Sequence, residues 1–217
     1  MRKSFASLVV VAVLVLLAPV ANAGWFSPPA LERYTGPDAG RLVMSLAGYR
    51  GSNFDRVSLF FRPLDKSKRA VLYYSCLCRD PFGLRPPKPN TDFADDVEAA
   101  NVVVWPLAPG NYEIYDFDVL YSIGGRWTTF SSKAEFSIPF TIEPGRTIYL
   151  GEFRAMDLNG RNIFGLPAPA GVKFQIFDKS ARDLALPKAR ESAITEFKIS
   201  LPVPSKIGNT LFERTPW

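Results

Sequence analysis

Two Pro-Gly dipeptides, each between runs of β-branched and aromatic residues, constrain the fold of this chain more than any other feature. They are Pro109-Gly110 and Pro144-Gly145, and both lie within residues 101–153. Proline presets φ at about −65° at the second position of a turn, and glycine accepts the positive φ that a type II turn needs at the third. The sequence therefore predicts a strand, a turn and a further strand at both places.

Short runs in which every second residue is apolar recur along the rest of the chain, as expected of half-buried strands. The alternating positions are Leu42, Met44 and Leu46; Val57, Leu59 and Phe61; Leu72, Tyr74, Cys76 and Cys78; Phe136, Ile138, Phe140 and Ile142; and Val172, Phe174 and Ile176. The second and third runs flank the polar segment 65–69, which predicts a β-hairpin. A last strand is predicted at 196–201.

Two places depart from simple alternation. Tyr112 and Ile114 have one parity and Phe117 has the other, so either both faces of this strand are buried or a β-bulge reverses the alternation near Ile114-Tyr115. Pro139 cannot donate a hydrogen bond to a neighbouring strand, which predicts an edge strand or a break at that residue.

One helix signal appears late in the chain. Ser180-Ala-Arg-Asp183 fits a capping box that leads into Leu184 and Leu186, and Pro187 limits the helix to about two turns. Residues 159–171 read as a loop and 202–217 as a tail without a clear element. About nine short strands and one short late helix predict an all-β, mainly antiparallel, single β-sandwich over 41–201, after an irregular lead-in at 24–40.

The N-terminus has the three-part layout of an export signal. Arg2 and Lys3 precede the apolar run 8–17, and Ala21 and Ala23 supply the small residues before a cut that we expect between Ala23 and Gly24. The alternative, a retained anchor, is disfavoured because the run is shorter than the roughly 20 residues of a membrane span. We therefore expect cleavage of 1–23, no membrane span afterwards, and a periplasmic, envelope-associated or secreted protein.

The chain contains no histidine. This removes the Ser-His-Asp and Cys-His arrangements and the commonest ligand of zinc and copper, so a non-enzymatic protein without a metal or cofactor is favoured. The net charge of +5 is mild and partly carried by the leader, and no basic stripe with interleaved aromatics indicates nucleic-acid binding. Chemistry that depends on carboxylates, as in glycosidases, stays open.

Cys76 and Cys78 are the two cysteines of the chain. Export favours a disulfide, although residues i and i+2 of a regular strand are near or beyond the disulfide range and the bond would bend the strand. Two buried free thiols, metal binding and intermolecular pairing are the alternatives.

Residues 79–98 form a long stretch rich in proline and acidic residues. Loops of this length often carry function, so this segment is a candidate contact loop; a plain connection held by its prolines is the alternative. The residues that we assign to the contact are Pro81, Phe82, Arg85, Pro86, Pro87 and Pro89.

Two pairs of carboxylates and one tryptophan complete the candidate residues. Asp95-Asp96 and Asp116/Asp118 are more simply solvated or salt-bridged side chains than calcium ligands or a glycosidase pair. Trp127 follows the Gly124-Gly125 turn and is the candidate for an exposed aromatic that contacts sugars or peptides, whereas Trp105 follows an apolar run and is expected in the core.

The phrase Leu-x-Pro-Gly-x-Tyr-x-Ile at 107–114 resembles one that recurs in transthyretin-like and carboxypeptidase-regulatory-like accessory domains. The phrase Ile-x-Pro-Gly-x-x-x-Tyr-Leu-Gly at 142–151 resembles one in exported bacterial proteins of uncharacterised families. The resemblance implies a transthyretin-like or immunoglobulin-like β-sandwich that binds or supports other envelope components without catalysis.

The sequence therefore favours an exported binding or accessory protein whose partner is an envelope protein or a glycan. A carboxylate-dependent glycan hydrolase and a structural subunit of a surface assembly are the alternatives. Nothing in the sequence indicates the oligomeric state.

Overall fold

The fold was analysed on a computed structural model, which describes residues 29–49, 52, 54–75, 91–123, 126–161, 163–186, 196–203, 206–207 and 212–214. The elements in chain order are β1 (Gly40–Tyr49), β2 (Phe54–Pro63), β3 (Ala70–Ser75), β4 (Phe93–Ala94), β5 (Glu98–Leu107), β6 (Gly110–Ile123), β7 (Arg126–Ser131), β8 (Ile138–Ile142), β9 (Thr147–Arg161), β10 (Pro167–Phe177), α1 (Ser180–Asp183), β11 (Phe197–Ile199) and β12 (Phe212–Arg214). Within these residues no helix is long and apolar enough to cross a membrane.

The described strands form two sheets. A seven-stranded sheet has the order β12-β10-β9-β1-β5-β4, with β11 also paired to β9, and a five-stranded sheet has the order β3-β2-β6-β7, with β8 also paired to β6. Most neighbours are antiparallel, but β9 is parallel to β1 and β11, and β10 is parallel to β12. The predicted all-β, mainly antiparallel fold is confirmed.

The two sheets share one apolar core. Phe117 of β6 and Phe174 of β10 meet with ring centroids 5.0 Å apart, and Phe61 of β2 packs edge-on against Trp105 of β5 at 5.6 Å. These contacts cross between the sheets, so the chain is a sandwich. The largest fully buried core side chains are Phe61, Phe117, Phe153, Phe174, Leu42, Met44, Leu46, Leu59, Leu72, Leu107 and Ile114.

Both Pro-Gly turns carry the chain from one sheet to the other. The first connects β5 of the seven-stranded sheet to β6 of the five-stranded sheet, and the second connects β8 to β9 in the opposite direction. At the second turn Gly145 has φ +66°, and the Arg146 N–H donates to the Glu143 carbonyl at 3.2 Å. The predicted strand-to-strand turns are therefore present, and each forms a corner of the sandwich.

A β-bulge in β6 resolves the alternation at 112–117. Phe61 pairs with Ile114 and Phe60 with Asp116, so Tyr115 is the extra residue. Ile114 and Phe117 consequently both enter the core. Of the two readings, the bulge is confirmed. Pro139 lies exposed on β8, which lines the edge of the five-stranded sheet, as its missing N–H predicts.

A second bulge, in β9, determines what lies on the outer face of the seven-stranded sheet. Val43 of β1 pairs with Tyr149 and Ser45 with Glu152, so β9 has one residue more than β1 in this interval. Gly151 supplies it with φ +104°. Because the bulge shifts the alternation, Leu150 and Phe153 both point into the core while Tyr149 and Glu152 share the outer face.

Three expectations about local structure are wrong. Residues 159–171 are mostly strand, because β9 and β10 form a long hairpin that pairs Arg161 with Pro167. The helix begins at Ser180 without a side-chain cap, since Lys179 is the N-cap and Asp183 points inward. The tail contains β12, which pairs with β10 and so extends the sheet beyond residue 201.

Candidate functional site

The outer face of the five-stranded sheet presents Trp127 to solvent. Trp127 lies on the edge strand β7 opposite Ser122 of β6, and its side chain is 71% exposed. The next row of this face carries Thr129, Leu120 and Arg56, which are neighbours across β7, β6 and β2. The sheet therefore places a flat aromatic surface beside a hydroxyl and a guanidinium group.

The following row of the same face carries Asp118 between Ser131 and Ser58. Asp118 Oδ1 has no hydrogen-bond partner among the described residues, and Arg56 Nη2 lies 3.8 Å away with a side chain that is 46% exposed. The Arg56 guanidinium group is therefore partly open to solvent, whereas Asp118 Oδ1 is buried. Asp116 is two residues away on β6 and accepts a hydrogen bond from the backbone N–H of Phe117 at 2.8 Å.

Burial raises the pKa of Asp116 above its ordinary value, and the backbone N–H groups of Phe117 and Ser132 oppose this only in part. The negative charges of Glu135 and Asp118 act in the same direction as burial. Of the four predicted carboxylates, this one has the environment of a proton donor.

Asp95 has a different role, in the turn between β4 and β5. Its Oδ1 accepts hydrogen bonds from the N–H groups of Val97 and Glu98 at 2.8 and 2.7 Å. The turn belongs to the seven-stranded sheet, whereas Asp116 and Asp118 belong to the five-stranded sheet, so the two carboxylate pairs do not form one site. Across the described residues no three Asp, Glu, Cys or His side chains are grouped as metal ligands.

A buried polar cluster lies on the opposite side of the molecule, between the outer face of the seven-stranded sheet and α1. Asp183 of α1 is fully buried, and its Oδ2 accepts hydrogen bonds from Ser45 Oγ at 2.5 Å and Tyr149 Oη at 2.7 Å. The Lys179 N–H donates in turn to Tyr149 Oη at 3.2 Å. Asp183 thereby ties the helix to β1 and β9.

Ion pairs extend this cluster. Arg182 donates through Nη1 to Glu98 at 2.6 Å, through Nε to Asp183 at 2.8 Å, and through Nη2 to Glu152. Arg154 donates to Glu152 through Nε at 3.0 Å and Nη2 at 2.6 Å, and also pairs with Glu98. We call Ser45, Glu98, Tyr149, Glu152, Arg154, Arg182 and Asp183 the α1 cluster.

The α1 cluster holds three carboxyl groups and two guanidinium groups, and their charges act on one another's pKa values. Burial alone would lower the pKa of Arg182, but the charges of Glu152 and Asp183 outweigh it and raise that pKa. Burial raises the pKa of Glu152 although Arg182 opposes it. Burial and the Asp183 charge together raise the pKa of Tyr149 far above its ordinary range.

The α1 cluster is enclosed. Glu152 and Asp183 are 0% exposed, and the rings of Phe177 and Phe93 cover Arg154 and Arg182 at 4.1 and 4.6 Å. A substrate has no access to the two carboxylates, so the cluster fixes the helix to the sheet. No sequence motif identifies this cluster, because its residues come from four separate elements, β1, β5, β9 and α1. The sequence signal is that Glu152 and Arg154 lie within the largely apolar run 148–156.

The tip of the β9–β10 hairpin is the most exposed apolar part of the described chain. Ile163 is 93% exposed, Phe164 79% and Leu166 60%. The pairing of β1 with β9 ends at Ala155, whereas β10 accompanies β9 as far as Arg161, so the hairpin extends beyond the neighbouring strand. The loop predicted at 159–171 does not include this extension of the two strands.

Several predicted residues lie outside the described part of the chain. These are the leader 1–23, the two cysteines Cys76 and Cys78, and the contact-loop residues Pro81, Phe82, Arg85, Pro86, Pro87 and Pro89. The disulfide and the contact loop therefore stay predictions. Ser75, the last described residue of β3, pairs with Arg56 in the row next to that of Trp127.

No protein-family model matches the sequence, and no curated protein sequence matches it either. A solved structure, a leucine-rich repeat protein from Bacteroides thetaiotaomicron determined at 2.80 Å, is similar over 54% of this chain with 11% identity and a TM-score of 0.33. The match spans 14% of that protein. A similarity of this size carries no argument about fold or function.

Proposed function

We propose that this chain is an exported, non-catalytic binding domain of the cell envelope that binds glycans on the outer face of its five-stranded sheet. The observation that carries the proposal is the 71% exposure of Trp127 on a regular strand. An indole that lies open to water at a fixed position on a sheet is a surface for contact, because its apolar area is not used in the core.

The neighbours of Trp127 favour a sugar as the ligand. The apolar C–H face of a pyranose ring packs against an indole, while its hydroxyl groups need donors and acceptors at the rim. Thr129, Arg56 and Asp118 supply both kinds of group in the two rows beside Trp127. Neighbouring strands are about 5 Å apart, and successive residues on one face of a strand are about 7 Å apart. The side chains of these rows therefore span the length of a short oligosaccharide.

The export signal, the resemblance to accessory domains of exported proteins and the two-sheet fold support a location in the envelope. This part of the proposal has its own test. The mature protein recovered from the periplasmic or surface fraction should begin at Gly24. A full-length protein that remains in the cytoplasmic fraction would exclude an envelope function.

Glycan binding is tested with the purified mature protein on immobilised peptidoglycan fragments, surface polysaccharides, cellulose and chitin oligosaccharides. Trp127→Ala should abolish the binding and leave the melting temperature unchanged. Leu64→Ala is the matched control, because Leu64 is apolar and 47% exposed at the opposite end of the same sheet. Binding that survives Trp127→Ala, or that Leu64→Ala removes equally, would contradict the assignment of this face.

A carboxylate-dependent glycan hydrolase is the second candidate, and the raised pKa of Asp116 is the observation that favours it. In that case a bound glycan would be cleaved, and Asp116→Asn would stop cleavage while leaving binding intact. Intact oligosaccharide recovered after prolonged incubation with the wild-type protein would contradict the hydrolase, and glycan binding would then be the function that this face supports.

A further inference from the structure

The tip of the β9–β10 hairpin has no role in the proposed glycan site, since it belongs to the other sheet. We propose that this tip inserts into the interface of a lipid bilayer and holds the domain reversibly against a membrane. The inference goes beyond the proposed function and rests on a different surface.

The composition of the tip favours lipid over protein. Residues 163–172 read Ile-Phe-Gly-Leu-Pro-Ala-Pro-Ala-Gly-Val and contain no polar side chain. Protein interfaces of ordinary kind carry a polar rim with about one hydrogen bond per 100–200 Å². This segment itself offers no side-chain donor or acceptor for such a rim, and the polar residues nearest to the tip, Asn159, Arg161 and Asn162, all precede it in the chain. The interior of a bilayer requires no such groups.

The shape of the tip suits a bilayer as well. The three apolar side chains Ile163, Phe164 and Leu166 project from the end of a two-stranded extension rather than lining a groove. A convex apolar tip can enter an acyl boundary without a preformed complementary surface. Burial of three such side chains gives reversible association, comparable with the weak binding of a single acyl chain.

Arg161 forms a hydrogen bond with the backbone at the tip, which favours a low-polarity environment there. Its Nη1 donates to the carbonyl of Gly165 at 2.8 Å, which satisfies a backbone oxygen at the point of insertion. Arg161 is exposed and is the one charged residue in 158–172. A guanidinium directly behind an apolar tip lies at the depth of the phosphate groups, so anionic lipid should strengthen the binding.

The test is co-sedimentation of the mature protein with two kinds of vesicle: phosphatidylcholine alone, and phosphatidylglycerol with phosphatidylcholine in which about one lipid in three is anionic. The wild-type protein should sediment with both and more strongly with the second. Ile163→Asp and Phe164→Asp should each reduce the bound fraction at least about five-fold, because a carboxylate must then enter the acyl boundary. Ile163 is 93% exposed, so Ile163→Asp should leave the melting temperature unchanged.

Val97→Asp is the matched control. Val97 is apolar and 56% exposed in the β4–β5 turn, away from the hairpin tip, and its replacement should leave sedimentation unchanged. Arg161→Gln should retain binding to phosphatidylcholine and lose about five-fold of the preference for anionic vesicles.

A spectroscopic measurement locates the tip directly. In Phe164→Trp, brominated lipids should quench the additional fluorescence, relative to the wild-type protein under the same conditions. Failure of the wild-type protein to sediment, or equal sedimentation of the Asp variants, would overturn the proposal. It would also be overturned if the Asp variants instead lowered the molecular mass of the protein in solution, since the tip would then be a contact between copies of the chain.

Discussion

The hydroxyl of Tyr149 on β9 donates a 2.7 Å hydrogen bond to Oδ2 of Asp183 on α1, and both groups are buried. The same carboxylate oxygen accepts from Ser45 on β1, so one side chain of a four-residue helix is bonded to two strands. A helix of this length is not stable by itself. Its position therefore depends on the α1 cluster.

Asp183→Ala should lower the free energy of unfolding by about 3–5 kcal/mol, because it removes the acceptor of the buried Ser45 and Tyr149 hydroxyl groups and one of the three carboxylate partners of Arg182. Urea denaturation measures the change. Asp96→Ala is the control, since Asp96 is exposed, and should change stability by less than about 0.5 kcal/mol. A similar small effect of Asp183→Ala would show that water reaches the cluster and replaces the carboxylate.

Tyr149→Phe is the milder test of the same contact. It keeps the ring in its apolar surroundings but removes one donor to Asp183 and the acceptor for the Lys179 N–H. We expect a loss of about 1–2 kcal/mol in the free energy of unfolding. In hydrogen exchange, the amide of Lys179 should lose protection in this variant while amides of the five-stranded sheet keep theirs.

Gly151 should tolerate alanine less well than Gly165, although both have positive φ, of +104° and +75°. A Cβ on Gly151 would lie 3.0 Å from the Phe177 carbonyl oxygen and 3.0 Å from Leu201, whereas one on Gly165 meets no atom within 4 Å. Gly165→Ala should therefore cost about 1–2 kcal/mol from backbone strain alone, and Gly151→Ala more. Chemical denaturation of the two variants, measured side by side, tests the order. Equal losses in the free energy of unfolding would mean that β9 can lose the bulge with little loss of stability.

The comparison of these glycines shows what the sequence could and could not predict. Pro-Gly turns, alternating strands and the β2–β3 hairpin depend on local residue chemistry, and the structure contains them. The Gly151 bulge depends on how β9 is paired with β1, which is more than 100 residues earlier in the chain. Local patterns carry no information about such pairing, so the outer face of the seven-stranded sheet could not be assigned.

The same limit applies to the candidate surfaces. The Gly124-Gly125 dipeptide before Trp127 predicts an exposed side chain, and Trp127 is 71% exposed. The spacing of Ser180 and Asp183 predicts a capping box, yet the Asp183 carboxylate bonds to strands far away in sequence. A pattern of residue types specifies what a side chain can bond to, and only the tertiary fold specifies which partner it meets.

Arg62 should hold the pKa of Glu135 below its ordinary value of 4.5. The cause is its hydrogen bond, since Arg62 Nη2 lies 2.8 Å from Glu135 Oε2, while Arg62 Nε also bonds to Glu113 at 2.8 Å. A lowered pKa stabilises the folded state above about pH 4.5, and that stabilisation is lost as the pH falls through the folded-state pKa. Carboxyl NMR titration should show the pKa of Glu135 rising toward 4.5 in Arg62→Met.

Arg146→Met is the control for that titration, because Arg146 pairs with Glu143 and Glu196 and not with Glu135. It should leave the Glu135 titration unchanged. If Arg62→Met also left it unchanged, the ion pair would be too solvated to influence the carboxyl group.

Asp116 should show the opposite dependence on pH, since burial raises its pKa above the ordinary value of 3.8. A raised carboxyl pKa means that the folded state favours the protonated form, so the stabilisation is complete below about pH 3.8 and is lost as the pH rises through the folded-state pKa. Asp116→Asn, which mimics the protonated form, should therefore unfold at a higher temperature than the wild-type protein at pH 7 and at nearly the same temperature at pH 3. The gain should stay below about 1 kcal/mol because water still screens the half-buried side chain.

Asp118→Asn is the matched variant on the same face of β6. Thermal denaturation across pH 3–8 tests the sign. A wild-type protein more stable than Asp116→Asn at pH 7 would mean that the hydrogen bonds from the backbone N–H groups of Phe117 and Ser132 stabilise the charged carboxylate more than burial destabilises it.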